Sequence, residues 1–313
     1  MKLKNIAVLL TALDSDAQAE ILGGIEQYGK ENGCNIAVFM WFTGMYEREK
    51  ENMGEVNICR LPDLNLFDGV ILLANVFHIA VNRSLIEGIL ENVTCPIVTI
   101  GYKYKDAPYV CADNYSGMRE MVEYLVKERG MTRLHFVKGI EGNKDADDRY
   151  RAFVDVLAEH NIPLLPERVS KGDFYVTGGE SAAREILSSS LPFPEAIVCA
   201  NDTMALTICD ILTEKGYRVP EDVVITGYDY SLEGRMHFPK ITSVDIDSHS
   251  LGENAVKTVL EMIAGNAVAK EITVPGKVIY EGNAVPTSVT GQSGWEERAK
   301  EMSKAQINLS DII

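Results

Sequence analysis

Ala196-Ile197-Val198-Cys199-Ala200-Asn201-Asp202-Thr203-Met204-Ala205 decides the fold. Four apolar residues with β-branched members make a short strand buried on both faces. Asn201 and Asp202 follow as residues that cap orphan helix amides, and a stretch of helical period then runs from Asp202 to Lys215. Strand, polar turn and helix in that order form a βα unit, and the same unit recurs along the chain. The apolar runs are Ile6–Leu10, Ile36–Phe42, Val70–Ala74, Ile97–Ile100, Leu134–Val137, Ala196–Cys199 and Val223–Ile225. Helical stretches alternate with them at Asp16–Asn32, Asn82–Asn92, Ser116–Arg129, Asp148–His160, Gly179–Ser188 and Asp202–Lys215. Alternation of this kind predicts an α/β protein built on parallel sheets. After Asp229 it gives way to a strand at Ile241–Val244, a helix at Ser248–Ala264 and one β stretch from Glu271 to Tyr280.

The 313 residues suffice for two domain-sized units, and 46% hydrophobic with 24% charged residues is a globular composition. A formal charge of −16 repels phosphate backbones and anionic membrane surfaces, which argues against direct nucleic-acid or membrane binding. No run is long enough to span a bilayer. The six cysteines, Cys34, Cys59, Cys95, Cys111, Cys199 and Cys209, are scattered without CxxC spacing, as in the reducing cytoplasm. Nothing predicts a cofactor or a metal: the acidic cluster Asp145, Asp147 and Asp148 lacks the oxygen spacing of a calcium loop. The five histidines form no base-and-nucleophile partnership, and the chain is not read as an enzyme.

Ligands of open parallel sheets lie beyond the carboxyl ends of the strands. That rule nominates Thr11 and Asp14 after the first strand, Thr43 after the second, Asn75 after the third and Tyr102 after the fourth. Later strands yield Asn143 and Asp145, then Asn201-Asp202, then Tyr228-Asp229. A ring of amides and carboxylates suits a neutral hydroxylated molecule such as a sugar better than a phosphate. Each has a competing role: Asn201-Asp202 and Asp113-Asn114 both begin helices, where capping alone explains them.

The 196–205 run, with Gly216-Tyr217-Arg218-Val219-Pro220-Glu221-Asp222-Val223 and Gly227-Tyr228-Asp229-Tyr230, resembles the effector-binding domains of lactose- and galactose-repressor-type regulators. Val110–Gly117 (VCADNYSG), Arg149-Tyr150-Arg151-Ala152-Phe153 and Ile241–Val244 leading into Leu251-Gly252 extend the resemblance over residues 4 to about 285. It implies the periplasmic-binding-protein type I fold, two Rossmann-like lobes closing on a ligand. The first lobe would be residues 1–131 with 245–268, and the second 132–244 with 269–290. It further implies that Arg149 grips the effector, that Asn201 and Asp229 are polar cleft residues, that Phe174 stacks on the ligand, and that Asn143 and Asp145 are loop contacts.

Two departures from that family shape the functional expectation. Ile6 opens the first strand almost at the start, leaving no helix-turn-helix before it. Trp295, Met302 and Leu309 recur every seven residues, so that 291–313 reads as a connector whose helix, from Trp295 to Ile313, would reach about 28 Å. The expectation is a homodimeric sugar sensor signalling to a C-terminal output such as a diguanylate cyclase or a histidine kinase. The alternative is a transcriptional regulator without its own DNA-binding head.

Overall fold

The computed structural model describes residues 3–11, 16–41, 57–73, 86–101 and 103–281. A six-stranded parallel sheet and a four-stranded parallel sheet carry the two lobes of the predicted α/β, periplasmic-binding-protein type I architecture. In the first lobe β1 (Lys4–Thr11) pairs with β2 (Cys34–Trp41) and β3 (Gly69–Leu73). β4 (Ile97–Ile100) and β5 (Tyr109–Ala112) continue the sheet in the same direction. β1 shows why the run had to be apolar throughout: Ile6, Val8 and Leu10 face one core, and Ala7 and Leu9 the other. α1 (Asp16–Glu31) covers the first of these faces.

The chain then changes lobes. Directly after β5, α2 (Asn114–Glu123) buries Met118, Met121 and Val122 in the core of the second lobe. There β6 (Leu134–Val137), β7 (Val169–Ser170), β8 (Ala196–Cys199) and β9 (Val224–Thr226) form a parallel sheet in the order β7-β6-β8-β9. α3 (Lys144–Glu159), α4 (Val176–Ser188), α5 (Asp202–Glu214) and the short α6 (Leu232–Met236) connect them. β10 (Ser243–Asp245) leads back to the first lobe, where α7 (Ser248–Ile263) packs beside α1. β11 (Glu271–Val274) joins the six-stranded sheet beside β5, and β12 (Lys277–Ile279) pairs antiparallel with β10.

The structure corrects several expectations. Glu271–Tyr280 is two strands in two sheets, broken at Pro275-Gly276, so residues 271–274 belong to the first lobe rather than to a second-lobe segment 269–290. The first crossover falls at 112–114, not at 131, because the buried side of α2 matches the second core. β2 is an edge strand, with Val38 39% and Met40 37% exposed, and not a run buried on both faces. Cys59, Cys111, Cys199 and Cys209 are buried free thiols, while Cys34 and Cys95 are half-buried. The 291–313 connector lies outside the described residues.

α1 and α7 cross so closely that each presents a glycine to the other. A Cβ at Gly24 would run into the carbonyl oxygen of His249, and one at Gly252 into that of Ile21. Backbone cannot yield as a flexible side chain can, so overpacking here costs about 1–3 kcal/mol. Gly252→Ala is expected to lower the thermal midpoint by several degrees, read by circular dichroism, whereas Gly130→Ala, where a Cβ meets nothing within 4 Å but φ is +66°, should show strain without any clash.

Candidate functional site

The carboxyl end of β5 hands over to α2 beside the carboxyl ends of β6, β8 and β9, so the strand ends of both lobes meet at one cleft. Arg149, on the second turn of α3, is its centre, and its side chain is only 6% exposed. Nε donates to Oδ1 of Asn114 at 2.8 Å, Nη1 to the carbonyl oxygen of Ala200 at 2.5 Å, and Nη2 to Oδ1 of Asp229 at 3.2 Å. The guanidinium lies over the Tyr228 ring, 3.8 Å from its centroid, and 5.9 Å from that of Phe174. A buried cation is tolerated only with such pairing, and the aromatic face adds an attraction of about 1–2 kcal/mol.

Around it stand three carboxylates. Asp229 keeps 30% of its side chain exposed, occupies a backbone conformation at φ +103°, and is held there by its amide donating to the carbonyl of Val244 at 2.9 Å. Burial pushes its carboxyl up to about 6 against the opposing pull of Arg149. Asp145 accepts from Nδ2 of Asn114 at 2.9 Å and is likewise raised by burial. Asp202 is buried and accepts from the amide of Ser231 at 2.7 Å and from the hydroxyl of Ser243 at 2.6 Å. Its carboxyl is pushed up to about 7 by desolvation and then by the neighbouring Asp229.

Asn201 caps α5, accepting from the amide of Met204 at 3.1 Å, and donates through Nδ2 to the carbonyl of Phe174 at 2.9 Å. Capping and positioning are therefore both its roles. Phe174 sits at φ +70° with its ring pressed so closely on Gly139 that no Cβ would fit there. Asn143 is not in a free loop: it caps α3 by accepting from the amide of Ala146 at 3.0 Å, so that helix begins at Lys144, earlier than the expected Asp148. Arg149, Asp229, Asp145, Asn201 and Phe174 are thus brought together. Thr11 ends β1, while Asp14, Asn75 and Tyr102 lie outside the described residues.

Sequence reasoning missed Asn114 as a member of the site, and it placed Tyr228 and Asp202 at strand ends without giving them a role. Asn114 had been assigned to capping, yet Asp113 alone caps α2, accepting from Ser116 at 2.9 Å, and Asn114 bridges Arg149 and Asp145. Tyr228 underlies the guanidinium and donates to the carbonyl of Asn114 at 3.3 Å. Asp202 anchors the 227–231 turn. The signal lay in the doublets: where two Asx residues open a helix and the first supplies the cap, the second is available for other work.

At the rim, α6 of the second lobe meets the start of α1 of the first. The amide of Leu232 donates to Oδ2 of Asp16 at 2.7 Å, and Arg235 pairs with Glu20 at 3.2 Å. Among the described residues no group of three acidic, histidine or cysteine side chains is placed to hold a metal, and no helix is long and apolar enough to cross a membrane.

A cleft of this build between two parallel-sheet lobes defines a ligand-binding protein of the periplasmic-binding type. The periplasmic binding protein-like domain family matches residues 122–282, more than half of the sequence, and the chain belongs to it. Among curated relatives, the helix-turn-helix-type transcriptional repressor PurR of Mannheimia succiniciproducens is 24% identical over 86% of this chain and 77% of its own. PurR of Aliivibrio fischeri is 27% identical over 83% of this chain and 74% of its own. A transcriptional regulator described as LacI from Bacillus cereus subsp. cytotoxis superposes with a TM-score of 0.71 at 25% identity, over 91% of this chain and 99% of its own. The regulator CelR in complex with cellobiose shares the fold, with a TM-score of 0.71 at 23% identity, over 89% of this chain and 84% of its own.

The weakened acidity of Asp202 is linked to stability. The fold favours its neutral form, whereas the unfolded chain ionises near pH 4, so this group's contribution is complete below pH ~4 and is lost as pH rises towards about 7. Urea denaturation of Asp202→Asn should accordingly show a flatter stability profile between pH 4 and 7 than the parent protein. An unchanged slope would mean that Asp202 ionises normally.

Proposed function

We propose that this chain is the cytoplasmic effector-binding part of a dimeric transcriptional regulator of the lactose-repressor type, and that a small polyhydroxylated molecule, a sugar, closes its lobes. The observation that carries the reading is the Arg149 centre. Among the described residues one buried cation stands between the carboxyl groups of Asp145 and Asp229, and these offer acceptors for ligand hydroxyls in a partly dehydrated cleft. Asp229 spends one oxygen on Arg149 and offers the other to the cleft, Asn201 fixes the turn bearing Phe174, and the Phe174 ring supplies an apolar face for a pyranose.

The relatives reported above are repressors, which reverses the expected order of the two readings: regulator now stands before sensor of a diguanylate cyclase or histidine kinase. The negative charge of the chain suits this division of labour, with DNA contact made by a separate element or partner. Effector energy reaches that element through the difference in affinity between open and closed lobes.

Thermal denaturation with a panel of mono- and disaccharides, sugar alcohols and nucleobases tests the ligand class. At least one neutral polyhydroxylated compound should raise the midpoint, and Asp229→Asn should weaken that compound about 10-fold or more, as expected for a lost charge-assisted hydrogen bond. Stabilisation by a nucleobase with none by any sugar would overturn the sugar assignment.

A further inference from the structure

A second place in the molecule leaves charge uncompensated. Lys138 and Lys171 follow the paired residues Val137 and Ser170 at the carboxyl ends of β6 and β7, and the amide of Lys138 donates to the carbonyl of Ser170 at 3.0 Å. Neighbouring parallel strands in register place the two lysines side by side, on the sheet face that carries Phe136 and Val169. That face packs on α3: Phe136 meets Tyr150 and Phe153, and the ammonium of Lys138 lies 3.8 Å from the Tyr150 ring centroid. Like charges at adjacent positions repel. In a chain with 46 acidic and only 30 basic side chains a carboxylate partner would be easy to supply, yet among the described residues neither lysine forms an ion pair.

Both lysines line a cavity of about 490 Å³ between α3, the 138–141 loop and the 164–172 segment. Leu164 and Tyr150 give it an apolar wall, and the carboxylates of Glu141 and Asp147 also face it. Gly139 and Ala146 line it too, and Gly139 lies against the Phe174 ring, which places it between this cavity and the cleft. The arrangement therefore has two free cations, two hydroxyl acceptors and an aromatic face, in a space the size of a small metabolite.

We propose that this cavity is a second binding site, for a phosphate monoester bearing hydroxyl groups, that is, a phosphorylated sugar or polyol. Its phosphate lies between the ammonium groups of Lys138 and Lys171, which act as point charges towards an oxyanion. Its hydroxyls donate to Glu141 and Asp147, and its carbon skeleton rests on Tyr150 and Leu164. Among the described residues the cleft has no such pair of cations, so the two proposed sites differ in the charge of what they take.

The test uses glucose 6-phosphate, glucose and inorganic phosphate with the full chain and with Lys171→Glu, a change at an exposed position. Glucose 6-phosphate is expected to bind the parent protein by calorimetry and to bind Lys171→Glu at least 10-fold more weakly, while any response to glucose is the same in both proteins. Amine acetylation followed by mass spectrometry on the parent protein gives an independent reading: glucose 6-phosphate should protect Lys138 and Lys171 while leaving Lys215 reactive. Absence of binding by both phosphate compounds, unchanged affinity in Lys171→Glu, equal weakening of glucose and glucose 6-phosphate, or binding without protection of the two lysines would each overturn the proposal.

Discussion

The buried guanidinium of Arg149 is the constraint on which the cleft depends. Withdrawing a permanent cation from water costs several kcal/mol unless every face of it is paired. The structure meets that demand with groups from three separate segments: the side chain of Asn114 at the first crossover, the carbonyl of Ala200 after β8 and the carboxylate of Asp229 after β9. Because one planar ion has to satisfy all three, it fixes the relative heights of those strand ends. Tyr228 beneath it and Asp202 behind it then hold the turn in which Asp229 and Tyr230 take positive φ.

That arrangement also sets the chemistry available to a ligand. Among the described residues the acids of the site outnumber the cation, so hydrogen-bond acceptors exceed free donors there. That balance is what supports the proposal of a hydroxyl-rich ligand. The second-lobe cavity differs in kind, with adjacent lysines at the ends of β6 and β7 and the carboxylates of Glu141 and Asp147 apart from them on its wall.

Much of the fold was legible because a strand buried on both faces must be apolar at consecutive positions. β1, β3, β4, β6, β8 and β9 all announce themselves this way. What escaped had a weaker local signature. β5 lies in a short mixed run, β7 is only two residues long, and residues 271–280 read as one strand because nothing local records that Pro275-Gly276 carries the chain between lobes. In the site, Arg149, Asn201, Asp229, Asp145 and Phe174 came from position along the chain and from resemblance. Asn114 did not, since a helix cap accounts locally for an Asx doublet and only tertiary structure reveals that one member is spare.

The contacts at the rim, from Leu232 to Asp16 and from Arg235 to Glu20, join the two lobes away from the binding centre. Such contacts favour the arrangement in which they are made, and apparent affinity scales with the fraction of the population in the binding-competent arrangement. The threshold concentration at which such a protein responds is thus adjustable from its edge. Two related chains with identical clefts can be tuned to scarce or abundant effector by altering a single exposed ion pair, and a rise in salt, which screens that pair, moves the threshold upward.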